Sequence, residues 1–159
     1  MVELLEKVTQ AGLANPSLFP LTQTALRVMQ EADEGQVYSI TAAHLLKTLA
    51  FVGLKPSFDF CVTCGASVPL ESNGSMLNFS YPEGGVVCKE CAGTEETVTV
   101  LTETCRWAHA LLMSPFKDII TFETDVKTSL ASLRLCHAWI KEHVGTRMKS
   151  LDFIVANEV

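Results

Sequence analysis

Four of the six cysteines in this 159-residue chain fall into two Cys-x-x-Cys pairs, Cys61-Val62-Thr63-Cys64 and Cys88-Lys89-Glu90-Cys91, with Gly65 and Gly93 close behind them. Each pair makes a tight knuckle that can turn two thiolates toward one cation. Two knuckles give four sulfurs about 2.3 Å from a tetrahedral Zn2+, with no position left for water or substrate. The spacing therefore predicts one structural zinc ion rather than a catalytic one. The 23 residues between the pairs are too few and too polar for a core of their own. Metal binding must stabilise them, and structural zinc supplies roughly 10–16 kcal/mol in small peptides. Iron–sulfur ligation is a minor alternative. A redox dithiol is weaker still, because no thioredoxin-like βαβ pattern surrounds either pair. Disulfides are disfavoured as well: the first residues carry Glu3 and Glu6 where an export signal is basic, and no apolar block with a cleavage site follows.

The remaining chemistry-bearing residues form no catalytic constellation. Cys105 and Cys136 sit at helical core spacing and read as packing. His44, His109, His137 and His143 make no ligand pair; His137 reads as core or boundary, and His143 as a complement to a helix dipole. No nucleophile elbow, phosphate-cradling glycine loop or carboxylate pair can be assembled, so the expectation is a protein that is not an enzyme. The net charge of −6 argues against nucleic-acid binding by bulk electrostatics. One cationic concentration remains. Lys127, Arg134 and Lys141 recur every seven residues on one helix flank, and Arg147 and Lys149 follow beyond Gly145. A solvated face is the bland reading; the sharper one is a surface that holds an acidic, apolar peptide or meets phosphates.

The elements that must position these groups divide into three regions. Residues 1–56 read as three helices: 2–12 with Val2, Leu5 and Val8 on one side; Asn15-Pro16 to about Ala32 with the stripe Leu21, Ala25, Val28 and Ala32; and Ile40 to Phe51, capped by Ser39 and stopped by Gly53 and Pro56. Residues 57–93 lose helical periodicity, and only Met76–Ser80 and Val86–Val87 are strand-like. Helix returns over 97–144. Leu101, Cys105, Ala108 and Leu112 share one face, Ser114-Pro115 makes a break, and a long helix then carries Val126, Leu130, Leu133, His137, Ile140 and Val144 up to a Gly145 cap. The expected architecture is mainly α: one helical domain over 1–159, with a four-cysteine zinc module containing short strands inserted at 57–93. No apolar run approaches the ~20 residues that span a bilayer, and a cytoplasmic protein is expected.

Phe79-Ser80-Tyr81-Pro82-Glu83-Gly84-Gly85-Val86-Val87-Cys88-Lys89-Glu90-Cys91 resembles the zinc module of the bacterial recombination mediator RecO. Leu45 to Pro56 is similar to the apolar helix ending in Gly-x-x-Pro that enters that module. Gly145-Thr146-Arg147-Met148-Lys149-Ser150-Leu151 looks like the family's C-terminal Arg-x-x-Lys-Ser signature, with only Met148 between arginine and lysine. The resemblance implies a helical region with an inserted four-cysteine zinc finger. It also implies a role in DNA repair and recombination by the RecF, RecO and RecR route, through annealing of single strands and loading of recombinase. Its implied partners are RecR, the acidic, apolar tail of single-strand-binding protein and, more weakly, single-stranded DNA. The family begins with an OB-fold barrel, and no run of alternating strands precedes residue 57 here. The expectation is a chain corresponding to the part after that barrel, as a shortened or naturally reduced form.

Overall fold

The computed structural model describes residues 1–9, 15–70 and 74–157. The element order is α1 (Val2–Val8), α2 (Leu18–Met29), α3 (Glu34–Phe51), β1 (Met76–Ser80), β2 (Gly85–Val87), β3 (Val98–Leu101), α4 (Thr102–Met113), α5 (Phe116–Ile119), α6 (Val126–His143) and α7 (Lys149–Asn157). The mainly helical architecture with a small β module is as expected from the sequence.

Helix α3 is the hub, packed against α2, α4 and α6. It is apolar nearly all round, with Ile40, Ala42, Ala43, Leu45, Leu46 and Leu49 fully buried, as a central helix must be. Its start lies six residues earlier than Ser39 suggests. Asp33 and Gln36 form a capping box: the Asp33 carboxylate accepts the Gln36 N–H at 2.8 Å, and the Gln36 side chain accepts the Asp33 N–H at 2.9 Å. Ser39 is instead a buried mid-helix residue whose hydroxyl meets that of Ser129 at 2.8 Å, joining α3 to α6. Helix α2 likewise begins after Ser17, later than Asn15-Pro16 indicates; the Asn15 side chain accepts the Ser17 N–H at 3.2 Å. In α1 the buried residue is Leu4, while Val2 is exposed. Residues 10–12 of the expected first helix lie outside the described residues.

On α6, Leu130, Leu133 and Ile140 are buried as their spacing requires, but Val126 at the first turn is exposed and His137 is half-buried. Three elements depart from the sequence reading: β3, α5 and α7. Leu101 is the last residue of β3 and caps α4, exposed rather than on a buried helical face. Helix α7 is held at its N-terminus by Glu3, whose carboxylate accepts the backbone N–H groups of Lys149 and Ser150 at 2.8 and 3.0 Å and the Ser150 hydroxyl at 2.6 Å. These bonds to the ionised form hold the Glu3 carboxyl below its ordinary value.

One buried group predicts acid sensitivity. The Thr22 hydroxyl donates to the Leu18 carbonyl, so its oxygen accepts from His44 Nε2–H at 2.9 Å; this leaves Nδ1 as a bare acceptor in the core, with no partner among the described residues. Burial pushes the His44 pKa from 6.5 down to about 4. Between those values the unfolded chain binds a proton that the native chain refuses, so stability rises with pH across pH 4–6.5 and is lost as pH falls through it. The expected loss is on the order of 3 kcal/mol. Between pH 6.5 and pH 4 the unfolding free energy from urea titration should fall further in the wild-type chain than in His44→Gln by about this amount; parallel profiles would remove His44 as the cause.

Candidate metal centre

The three-stranded antiparallel sheet has the order β2-β1-β3, with Phe79 opposite Val86 on one side and Val98 on the other. It extends past the second knuckle, because β3 returns from beyond residue 93 to pair with β1. The first knuckle is fixed to the sheet: Val62 N–H donates to the Val86 carbonyl, and Cys61 N–H to the Ala66 carbonyl. Gly65 N–H closes back on the Cys61 carbonyl at 2.8 Å with φ +75°, a left-handed turn that favours glycine. The second knuckle turns through Cys91 N–H to the Cys88 carbonyl at 3.2 Å, and the Thr94 N–H and hydroxyl both donate to the Cys91 carbonyl.

These turns bring the sulfurs of Cys61, Cys64, Cys88 and Cys91 within 4.8 Å of one another, an arrangement that can hold a metal ion. The Sγ atoms of Cys64 and Cys88, one from each knuckle, are 3.7 Å apart. Cys88 N–H donates to Cys61 Sγ at 3.3 Å. Burial works against ionisation of Cys61, but the N–H groups of Cys88, Cys64 and Thr63 outweigh it and bring the thiol down to about 6. Hydrogen bonding to Cys88 and Cys64, with some burial, pushes the neighbouring Cys91 up to about 12. Ionised together, four sulfurs this close would need a cation to share their charge. Cys61 is buried, Cys88 and Cys91 are half-buried and Cys64 is exposed. Cys105 and Cys136 are fully buried elsewhere in the core, where desolvation raises both thiols to about 12.

The module is locked to the helices by an aromatic joint that sequence periodicity did not reveal. Trp139 of α6 meets Phe79 edge-on at 5.9 Å, Tyr81 at 6.4 Å and His143 at 4.2 Å. Its indole N–H donates to the Leu54 carbonyl at 3.0 Å, and His143 Nε2–H donates to the Tyr81 carbonyl at 2.8 Å. His143 lies in the last turn of α6, as expected, and is also a module contact. Phe58 reaches Phe79 from one side and His109 of α4 from the other, at 6.1 and 6.2 Å. At Gly85 a Cβ would stand 2.2 Å from the Ser57 carbonyl oxygen, so only glycine admits this crossing.

The cationic residues are placed as follows. Lys127, Arg134 and Lys141 are exposed along α6. Arg147 is exposed and pairs with Asp152, which also lies 3.0 Å from His137 Nε2. Lys149 is exposed at the start of α7. A further feature had no signature in sequence: an open groove of about 780 Å³ between α2, α3 and the α4–α5 corner. Its walls include Pro20, Leu21, Ala50, Phe51, Leu112 and Phe116, and the one charged side chain among the described lining residues is Lys47. Lys47 Nζ donates to the Leu112 carbonyl at 2.6 Å and lies 5.8 Å from the Phe116 ring centre. Burial lowers its pKa to about 8. Among the described residues no helix is long and apolar enough to cross a membrane.

The fold and site define a helical bundle that carries a small sheet with a four-cysteine cluster, joined to α6 at Trp139. The chain belongs to the RecO family: the family described as "Recombination protein O C terminal" matches residues 1–152. It is similar to DNA repair protein RecO of Alkaliphilus metalliredigens, 32% identical over 120 residues, covering 75% of this chain and 46% of that protein. The RecO proteins of Desulforamulus reducens and Myxococcus xanthus are 27% and 29% identical over 97% and 96% of the chain, and 58% of each is covered. The chain thus spans about half the length of these curated relatives. No solved structure matches it significantly.

Proposed function

We propose that this chain serves RecO-type DNA repair and recombination as a zinc-stabilised, non-catalytic adaptor for partner proteins, in the cytoplasm. A tetrahedron with 2.3 Å Zn–S bonds has sulfur–sulfur edges of about 3.8 Å, and the 3.7 Å between Cys64 and Cys88 supports Zn2+ as the resident ion. Cys61, Cys64, Cys88 and Cys91 would hold it; the ion would supply folding energy and no reaction step. The tight Trp139 joint supports the module and helices as one unit over 1–159.

The observation that carries the adaptor reading is the groove beside Lys47. A mostly apolar trough with one partly desolvated ammonium fits an acidic, apolar peptide end: the side chains replace water against the walls and a carboxylate meets Nζ. The C-terminal tail of single-strand-binding protein is the candidate occupant, and RecR is a second partner to be tested. Lys47→Met should weaken a synthetic tail peptide by about 30-fold, roughly 2 kcal/mol, and Lys47→Glu by more, measured by fluorescence anisotropy. Wild-type affinity in both variants would refute the groove.

The cationic flank supports a second contact, by Lys127, Arg134 and Lys141 with Arg147 and Lys149 nearby, made to the same acidic tail or to phosphates of single-stranded DNA. Arg134→Glu combined with Lys141→Glu separates the two. Loss of tail binding assigns the flank to the peptide, whereas loss of a steeply salt-dependent oligonucleotide affinity alone assigns it to DNA.

A further inference from the structure

We propose that Lys47 Nζ is a nucleophilic lysine and a site of acylation by apolar acyl thioesters, the groove beside it binding the acyl chain and the modification switching the groove off for acidic ligands. The switching clause rests on the adaptor reading above; the acylation itself does not.

Three features of the site converge. Lys47 stands on α3 with its stem against the apolar groove, and its amine is anchored by one short bond to the Leu112 carbonyl, which a neutral amine can donate as well as an ammonium. That bond fixes Nζ at the groove wall beside Phe116, where an acyl carbonyl attached to an apolar chain would be brought to it. No carboxylate or second cation stands among the described lining residues, and His44, one turn earlier on α3, is turned to Thr22. No charged side chain among the described lining residues holds the amine protonated; the Leu112 carbonyl and the Phe116 ring favour the ammonium, and desolvation outweighs them toward the free base. A lysine in water at neutral pH is almost wholly protonated; one titrating near 8 presents a substantial fraction of free amine.

The step balances without any further reagent. The Nζ lone pair attacks the thioester carbonyl, the tetrahedral adduct expels the thiolate, and the nitrogen loses its proton to solvent or to the departing sulfur. The products are an amide at Lys47 and a free thiol. The amide carries no charge, so the groove keeps its apolar walls but loses the one cation that would meet a carboxylate.

The test uses the whole chain and octanoyl-N-acetylcysteamine as probe, with peptide mapping by mass spectrometry to follow all eight lysines of the sequence separately. Lys47 should acylate at least tenfold faster than the median of the other seven at pH 7.5, with a rate that climbs through a midpoint near pH 8. Lys47→Arg should fold, remain unlabelled at that position and leave the other seven rates unchanged. A Lys47 rate no greater than that median, or a rate still rising with ordinary lysine behaviour at pH 10, overturns the proposal. Acylated protein should bind the acidic tail peptide at least tenfold more weakly. Selective acylation with no tail binding by the unmodified protein would sink the adaptor reading while leaving the nucleophilic lysine standing; tail binding without selective acylation would do the reverse.

Discussion

Stripping the metal with a strong chelator under reducing conditions should unfold the cysteine module and lower the stability of the whole chain by several kcal/mol. Four thiols lie within 4.8 Å of one another, close enough for one cation to meet all four sulfurs. A bound Zn2+ would replace the thiol protons and tie the 61–64 turn to the 88–91 turn. If the total is roughly 10–16 kcal/mol over four ligands, each thiolate contributes about 2.5–4 kcal/mol. Cys88→Ser should then lower zinc affinity by about a hundred- to a thousandfold. Cys136→Ser, although buried, should leave metal stoichiometry unchanged. Elemental analysis of the native protein, with thiol titration before and after chelation, reads this directly. One zinc per chain with four thiols freed only by chelator is the expected result; iron in its place, or no metal with reactive cysteines, would falsify the zinc assignment.

The four clustered cysteines were legible in sequence because the knuckle is a local device: two residues between cysteines and a glycine behind them suffice. The strands β1 and β2 were legible for a related reason, since a short turn joins them. What escaped the sequence reading was made by partners far along the chain. Val98–Leu101 is β-branched enough to be a strand, but its partner in the sheet lies about twenty residues upstream, and the helical spacing from Leu101 to Leu112 pointed the other way. Helix α7 depends on Glu3 for its N-terminal hydrogen bonds, a contact across 146 residues. The start of α3 is a different kind of miss. Asp33-x-x-Gln36 is a visible capping signature, passed over in favour of Ser39, and Gly35 lies within the first turn that it caps. A glycine in a first turn costs only up to about 1 kcal/mol, which the cap offsets. The Lys47 groove had no signature at all, because three separate segments build it.

Replacing Trp139 should be the most damaging single change away from the cysteines. Trp139 is 2% exposed and touches the sheet at Phe79, the segment entering the module at Leu54 and the end of its own helix at His143. Truncation to alanine removes a large buried aromatic surface, about 3–5 kcal/mol, and leaves the Leu54 carbonyl without its indole donor, roughly 1 kcal/mol more. Trp139→Phe keeps most of the ring packing and loses the hydrogen bond, so it should cost less than half as much. The discriminating readout is where the damage appears. If module and helices form one unit, Trp139→Ala lowers the urea midpoint of the helical signal and weakens zinc retention in the same transition, because the ion reports on a module whose anchor is gone. Two separated transitions, with zinc leaving at an unchanged midpoint while the helices melt earlier, would mean that the four sulfurs and their sheet hold together without the bundle. The joint at Trp139 would then orient the module without stabilising it.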